Sequence, residues 1–228
     1  MKTGWSVDNF AIRATLKAPI IYRGYLTLDA LLMAVMGTGD VRGLIKCVDD
    51  LYYASAAIPD DLGLVQKASF VASMRPEMTP EWRDFIEPNA KNTSLPSELQ
   101  IRGPKKCNDI KIGVSRQRDA GNILNQYLVK TSPVVEWHAV GNAEAVLEVL
   151  RSVPFIGKKR TAGYGEVGEW SILDSDLDGL VGYANEPLRP IPVERWPQGG
   201  DWVPEEAAWK APYWEVRNRT KCYVPPKS

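Results

Sequence analysis

Histidine is almost absent from this sequence and cysteine is scarce. His138 is the single histidine in 228 residues, and Cys47, Cys107 and Cys222 are the three cysteines. Zinc sites draw mostly on these two residue types, so no metal centre or other cofactor is expected. The cysteines form no Cys-x-x-Cys pair, and their odd number and wide spacing imply reduced thiols in a reducing compartment. A Ser-His-Asp or Cys-His nucleophile would have to use His138 as its base. Long apolar runs are also missing. No stretch approaches the ~20 residues of a membrane span, and the first eight residues lack the apolar run of a signal peptide. The expectation is a cytoplasmic protein without a membrane partner. Net charge is absent as well, with 28 basic and 28 acidic side chains. That balance exerts no global pull on nucleic acid.

The distribution is less neutral. Residues 1–100 carry 10 basic and 12 acidic groups, and residues 171–228 carry 7 and 9. Residues 101–170 carry 11 basic and 7 acidic groups. The positive charge is therefore central, in two clusters.

Phe10, Ile12, Ala14 and Leu16 alternate with other residues, as on one face of a strand. Thr27 can cap a helix over Leu28–Met36, which is apolar almost all round and reads as deeply buried. Asp40 can cap a second helix, with Val41, Leu44, Ile45, Val48, Leu51 and Tyr52 as its apolar stripe. Ala68, Phe70, Ala72 and Met74 mark a strand by period two, and residues 75–131 read as a long proline-punctuated insertion. A strand over Val134–Val140 follows. Then come a helix capped by Asn142, with Ala143, Val146, Leu147 and Leu150 on one face, and a strand over Glu166–Leu173. The order β-α-β-insertion-β-α-β is that of an α+β, ferredoxin-like (RRM-like, split βαβ) sheet with helices on one face. This domain spans residues 1–186. Residues 187–228 form an extension with eight of the 17 prolines and four of the eight tryptophans: Trp196, Trp202, Trp209 and Trp214. So many prolines argue against regular structure, and so many aromatics argue against a free tail.

Two familiar patterns fail on context. Gly163-Tyr164-Gly165-Glu166-Val167-Gly168 has the glycine spacing of a dinucleotide fingerprint, but a helix precedes it and a strand follows. Asp174-Ser175-Asp176-Leu177-Asp178-Gly179 opens like a calcium loop, but its twelfth position is Asn185, so an acidic solvated turn is the simpler reading. His138 sits in a strand with no visible second acid-base group, and packing explains it as well as catalysis does.

The stretch Gly157-Lys158-Lys159-Arg160-Thr161-Ala162-Gly163-Tyr164-Gly165 carries more. Glycines permit positive φ and close approach to the backbone. Exposed N–H groups beside Lys158, Lys159 and Arg160 suit phosphate oxygens, and Tyr164 offers a ring for a base. The bland alternative is a solvated turn. A second cluster, Arg102, Lys105, Lys106, Lys111, Arg116 and Arg118, lies in the insertion. There Ile110, Ile112 and Val114 alternate with polar residues as in a projecting ribbon. Lysines also protect sheet edges, but two such clusters in a neutral chain favour a nucleic-acid surface. The candidate RNA-binding residues are thus Lys158, Lys159, Arg160, Gly163, Tyr164 and Gly165, with the six basic residues of the insertion.

The order of elements, and a last helix followed by Ile156-Gly157-Lys158-Lys159-Arg160-Thr161-Ala162-Gly163-Tyr164-Gly165-Glu166-Val167, resemble the RAMP superfamily of CRISPR proteins. The opening Ala18-Pro19-Ile20-Ile21, through Leu28-Asp29-Ala30-Leu31-Leu32, is similar to that of type IV Cas five-type subunits. The resemblance implies a non-catalytic subunit of an RNA-guided ribonucleoprotein. It would bind the 5′ handle of CRISPR RNA and cap a backbone of Cas seven-type subunits. It would also contact a Cas eight-like large subunit near the protospacer-adjacent end of target DNA. The insertion would be its thumb. Two other classes stay open: a RAMP endoribonuclease with His138 as base, and an unrelated interaction module that uses the Trp-rich tail.

Overall fold

A computed structural model describes residues 8–22, 24–37, 41–60, 63, 65–73, 111–114, 121–196 and 202–226. The elements in chain order are β1 (Asp8–Leu16), α1 (Leu28–Met36), β2 (Cys47–Val48), β3 (Leu51–Tyr52), β4 (Ile58–Asp60), β5 (Val65–Ser73), β6 (Lys111–Val114) and β7 (Gly121–Lys130). Then follow β8 (Val134–Gly141), α2 (Ala143–Leu150), β9 (Val167–Asp174), β10 (Ile191–Pro192), β11 (Glu205–Ala208) and β12 (Arg219–Tyr223). The fold is mixed α/β, with mostly antiparallel sheets. The chain divides into two compact units, residues 1–65 with 129–228, and residues 66–128.

The first unit is built on a four-stranded sheet in the order β4-β8-β1-β9, antiparallel throughout. Period-two alternation decides its faces. Ile12 lies opposite Trp137 on β8 and Ile172 on β9, and Ala14 lies opposite Val135 and Trp170. These side chains meet α1 and α2 in one core, with Phe10, Leu28, Leu32, Val146, Leu147 and Leu150. On the other face Arg13 pairs with Glu136 directly across β1 and β8. Trp137 is fully buried, its ring 5.9 Å from that of Trp170. Each indole N–H is satisfied, Trp137 on the Leu26 carbonyl at 2.8 Å and Trp170 on the Val153 carbonyl at 3.0 Å. Burial of such rings carries no orphan-donor penalty here. The Asn142 side chain accepts from the Ala145 N–H at 2.9 Å and so caps α2 as its sequence suggests.

Four expectations need correction. Thr27 holds the N-cap position of α1 but makes no side-chain cap bond, and α1 buries one face only, with Val35 exposed. The segment after Asp40, itself outside the described residues, is not a helix. It is a short 3-10 turn over Val41–Gly43 and then the β2-β3 hairpin. Asp49 and Asp50, with φ of 48° and 67°, form the left-handed turn that a hairpin needs and a helix excludes. Val41, Ile45, Leu51 and Tyr52 are buried nonetheless, so the apolar stripe marked burial and misled on shape. The strand read over Ala68–Met74 is β5, but it belongs to the second unit. The second strand of the core sheet is the three-residue β4, and its Pro59 is tolerated because β4 is an edge. Finally, residues 187–228 are not wholly irregular. β10, β12 and β11 make a three-stranded antiparallel sheet, with Pro192 on its edge strand.

In the second unit β7 lies between β5 and β6 and runs parallel to β6, with Lys111 opposite Gly121. The Phe70 and Tyr127 rings meet edge to face at 5.7 Å.

The tail is fastened by a residue with no local signal. Arg189 is fully buried. It pairs with Asp29 in the first turn of α1 at 3.2 Å and donates to the carbonyls of Tyr52 (2.7 Å), Ala54 (3.1 Å) and Trp209 (3.1 Å). It also reaches the Tyr213 hydroxyl at 2.8 Å, and that hydroxyl donates in turn to Asp29. Burial raises the Tyr213 phenol well above its ordinary range. Trp196 and Trp209 pack on Leu51, Leu180 and Ile191, whereas Trp214 is 85% exposed.

Candidate nucleic-acid interface

The connection from α2 to β9 forms a closed loop. Its neck is the bridge of Phe155 with Glu166 and the bond from the Ile156 N–H to the Gly165 carbonyl at 2.9 Å. Two further bonds pin it to the segment after β1. The Gly165 N–H donates to Pro19 at 2.8 Å, and the Lys158 N–H donates to Ile21 at 2.6 Å. Left-handed backbone recurs at Gly157 (φ 81°), Lys159 (φ 60°), Gly163 (φ 83°) and Gly165 (φ 70°), around one 3-10 turn over Arg160–Ala162. Gly165 is sterically obligatory, because a Cβ there would collide with the Ile156 carbonyl. Gly163 faces open space, so only its φ calls for glycine.

This geometry bears on part of the expected amide set. The N–H groups of Lys158, Ala162, Gly163, Tyr164 and Gly165 are spent on holding the loop. For these five amides the side chains, not the N–H groups, are what the loop presents outward. Lys158 and Arg160 are exposed, and Lys159 and Tyr164 are half-buried.

Residues outside the expected set join them. Lys17 is exposed and stands 3.9 Å from Glu166, a loose surface pair worth ~1 kcal/mol or less. Lys130 places its Nζ 4.5 Å from the Tyr22 ring centroid and donates to the Tyr22 hydroxyl at 3.1 Å. Lys17 and Tyr22 flank the Ala18–Ile21 stretch in sequence. Their signal is a cation and an aromatic bracketing a short apolar stretch.

A family model for the CRISPR type IV associated protein Csf3 matches residues 97–225, more than half of the chain. The chain belongs to that family. No curated protein matches it. This Csf3-family chain is therefore a type IV CRISPR-associated subunit, and the matched region includes the whole glycine-rich loop, Lys130 and the tail through β12.

The second basic cluster of this subunit has no described geometry. Arg102, Lys105, Lys106, Arg116 and Arg118 lie outside the described residues, and of Lys111 only its backbone place in β6 is described. His138 lies on β8, its Nδ1 2.8 Å from the Ser175 hydroxyl, and burial lowers its pKa below the ordinary value. The acidic turn is internally bonded, with Asp178 accepting from the N–H groups of Leu180 (2.8 Å) and Val181 (3.2 Å). Among the described residues no group of His, Cys, Asp and Glu has the arrangement to hold a metal ion. No helix among them is long and apolar enough to cross a membrane.

Proposed function

We propose that this Csf3-family chain is a non-catalytic, Cas five-type subunit of a cytoplasmic type IV effector ribonucleoprotein, binding the 5′ handle of CRISPR RNA. In this reading it caps a filament of Cas seven-type subunits and meets a Cas eight-like large subunit. It also helps to position target DNA near the protospacer-adjacent motif. The observation that carries the reading is the pinned loop that turns Lys158 and Arg160 to solvent, with Lys159 between them. Exposed cations on a rigid loop attract phosphates without losing much order on binding. The strand order β4-β8-β1-β9, with α1 between β1 and β4 and α2 between β8 and β9, supports a ferredoxin-like RAMP core. His138 sits about 15–20 Å along the sheet from the level where the loop docks, counting strand rise. That separation from the loop supports a binding role for the subunit over RNA cleavage; the ring's Nδ1 engages the Ser175 hydroxyl.

The test is expression of the subunit with its own locus, followed by sequencing of the RNA that co-purifies. Repeat-derived RNA is expected. Replacing Lys158, Lys159 and Arg160 together with Ala should weaken repeat-RNA binding and reduce the salt slope by about 2, at ~0.7 per phosphate contact. Unchanged affinity and slope would sink the assignment. If His138→Ala abolishes repeat-RNA cleavage while fold and affinity are retained, the protein is an endoribonuclease instead.

A further inference from the structure

We propose that Tyr22 and Lys130 form the second wall of the RNA site. Tyr22 is a platform for one unpaired base, and Lys130 is the cation for a neighbouring phosphate. This rests on the loop reading above and names what that reading lacks, a contact to a base.

Three chain segments meet at the place concerned. Pro19–Ile21 runs in the middle. On one side the Ile20 N–H donates to Lys130 and the Lys130 N–H donates to Ile20, each at 2.9 Å. On the other side the loop donates to Pro19 and Ile21 through Gly165 and Lys158. Tyr22 therefore leaves the middle segment beside the residue that receives Lys158. Lys130 lies one strand spacing away from Ile20, about 4.8 Å. Ile20 is fully buried and fixes the segment, while Tyr22 and Lys130 are half-buried at its rim. The charge is one-sided. Residues 17–22, 130 and 156–166 carry Lys17, Lys130, Lys158, Lys159 and Arg160 against Glu166 alone.

The pair has the chemistry of a single-strand contact. A phenol ring stacks on any base, and the base must be unpaired to reach it. The Lys130 ammonium rests over that ring at 4.5 Å, a cation–π contact that an incoming base would replace, turning the ammonium toward the neighbouring phosphate. Tyr164, half-buried within the loop, is a second aromatic in the same connection.

The experiment is fluorescence anisotropy of the full chain with labelled single-stranded repeat RNA, and with the same RNA made abasic. Tyr22→Ala should weaken repeat-RNA binding roughly tenfold and leave abasic-RNA binding unchanged. Tyr22→Phe, which keeps the ring, should recover most of the affinity. Lys130→Gln should lower the salt slope by about 0.7, one phosphate contact. Should Tyr22→Ala fail to fold, Tyr22→Leu fills the same rim without a stacking face and carries the same expectation. Equal losses on base-bearing and abasic RNA would reduce Tyr22 to a packing residue and overturn the proposal. Wild-type affinity in the Tyr22 variants, with weak binding by the triple loop variant, overturns it too and leaves the loop reading standing. A triple loop variant that binds as tightly as wild type removes the loop reading itself.

Discussion

Replacing Arg189 with Met removes the guanidinium and keeps much of the side-chain volume. Five partners lose a donor: Asp29, Tyr213 and the carbonyls of Tyr52, Ala54 and Trp209. The Asp29 carboxylate is fully buried, and its remaining side-chain donor is the Tyr213 hydroxyl. Burial by itself would lower the affinity of Arg189 for its proton, but Asp29 and Tyr213 raise it, so the cation is held in place. Each orphaned buried acceptor costs about 1–3 kcal/mol, and these costs do not add. Breaking one side of a buried ion pair costs about 3–5 kcal/mol in total. A chain of this length loses about 2–4 °C per kcal/mol, so the midpoint should fall by about 6–20 °C. Circular dichroism melts of both proteins read this directly. The double variant Arg189→Met with Asp29→Asn should recover part of the loss, because no uncompensated charge is left buried. A single-variant loss below about 1 kcal/mol, or a double variant whose losses simply add, would refute the reasoning.

Other outcomes follow from the same geometry. Gly165→Ala should destabilise the chain well beyond Gly163→Ala: the first adds a collision with the Ile156 carbonyl, the second only a left-handed backbone cost of about 1–2 kcal/mol. Urea unfolding of the two variants compares them, and equal losses would mean that the loop neck yields. Burial lowers the His138 pKa in the folded state, so its contribution to stability is full above the unfolded value of about 6.5 and declines as pH falls through it. His138→Gln should flatten the pH dependence of the melting midpoint below about 6.5. An unaltered profile would show that the ring titrates freely. Burial also pushes the Cys222 thiol up to about 11, and its Sγ lies 3.7 Å from the Ala207 carbonyl. Native protein should therefore alkylate at Cys222 only after unfolding, and rapid modification at pH 8, read by mass spectrometry, would contradict the packing of β12.

Three strands and both helices of the core, β1, β8 and β9 with α1 and α2, were legible because their residues speak locally. Phe10, Ile12 and Ala14 alternate, Asn142 caps, and Val146, Leu147 and Leu150 share a helix face. Residues 41–52 misled because their burial is real but is imposed from outside. Ile45 bridges Gly141 and Ala54 bridges Ala139, contacts about a hundred residues away that no local period encodes. The Asp49-Asp50 pair was the available warning, since two adjacent turn formers sit poorly in mid-helix. β4 is three residues long with a proline in it, too short for period two to register. The glycine-rich loop was found by composition. Which of its amides are already bonded is set by Pro19, Ile21 and the loop's own turn, and no sequence pattern lists that. Tyr22 and Lys130 are 108 residues apart and meet only through the pairing at Ile20.

The tail is distinct in composition yet joined to the core by side chains. Its prolines and tryptophans suggest an appendage starting near residue 187, yet Arg189 reaches α1, β3 and the stretch after it, while Tyr213 returns to Asp29. Asp29, Tyr52 and Ala54 lie outside the region that the Csf3 family model matches, and Arg189, Trp209 and Tyr213 lie inside it. The clasp therefore joins the matched part of the chain to residues beyond the match. A truncation at residue 196 would leave Arg189 in place but remove Trp209, Tyr213, β11 and β12 together, stripping cover from Leu51 and Ile191. Loss of stability on that truncation would say nothing about a partner. Trp214 is the residue that can, because it is 85% exposed and its replacement uncovers no core. Within this one segment Arg189 and Tyr213 support the fold, whereas the exposed Trp214 ring covers no core residue, so Trp214→Ala should leave the melting midpoint unchanged and a large drop would contradict this division.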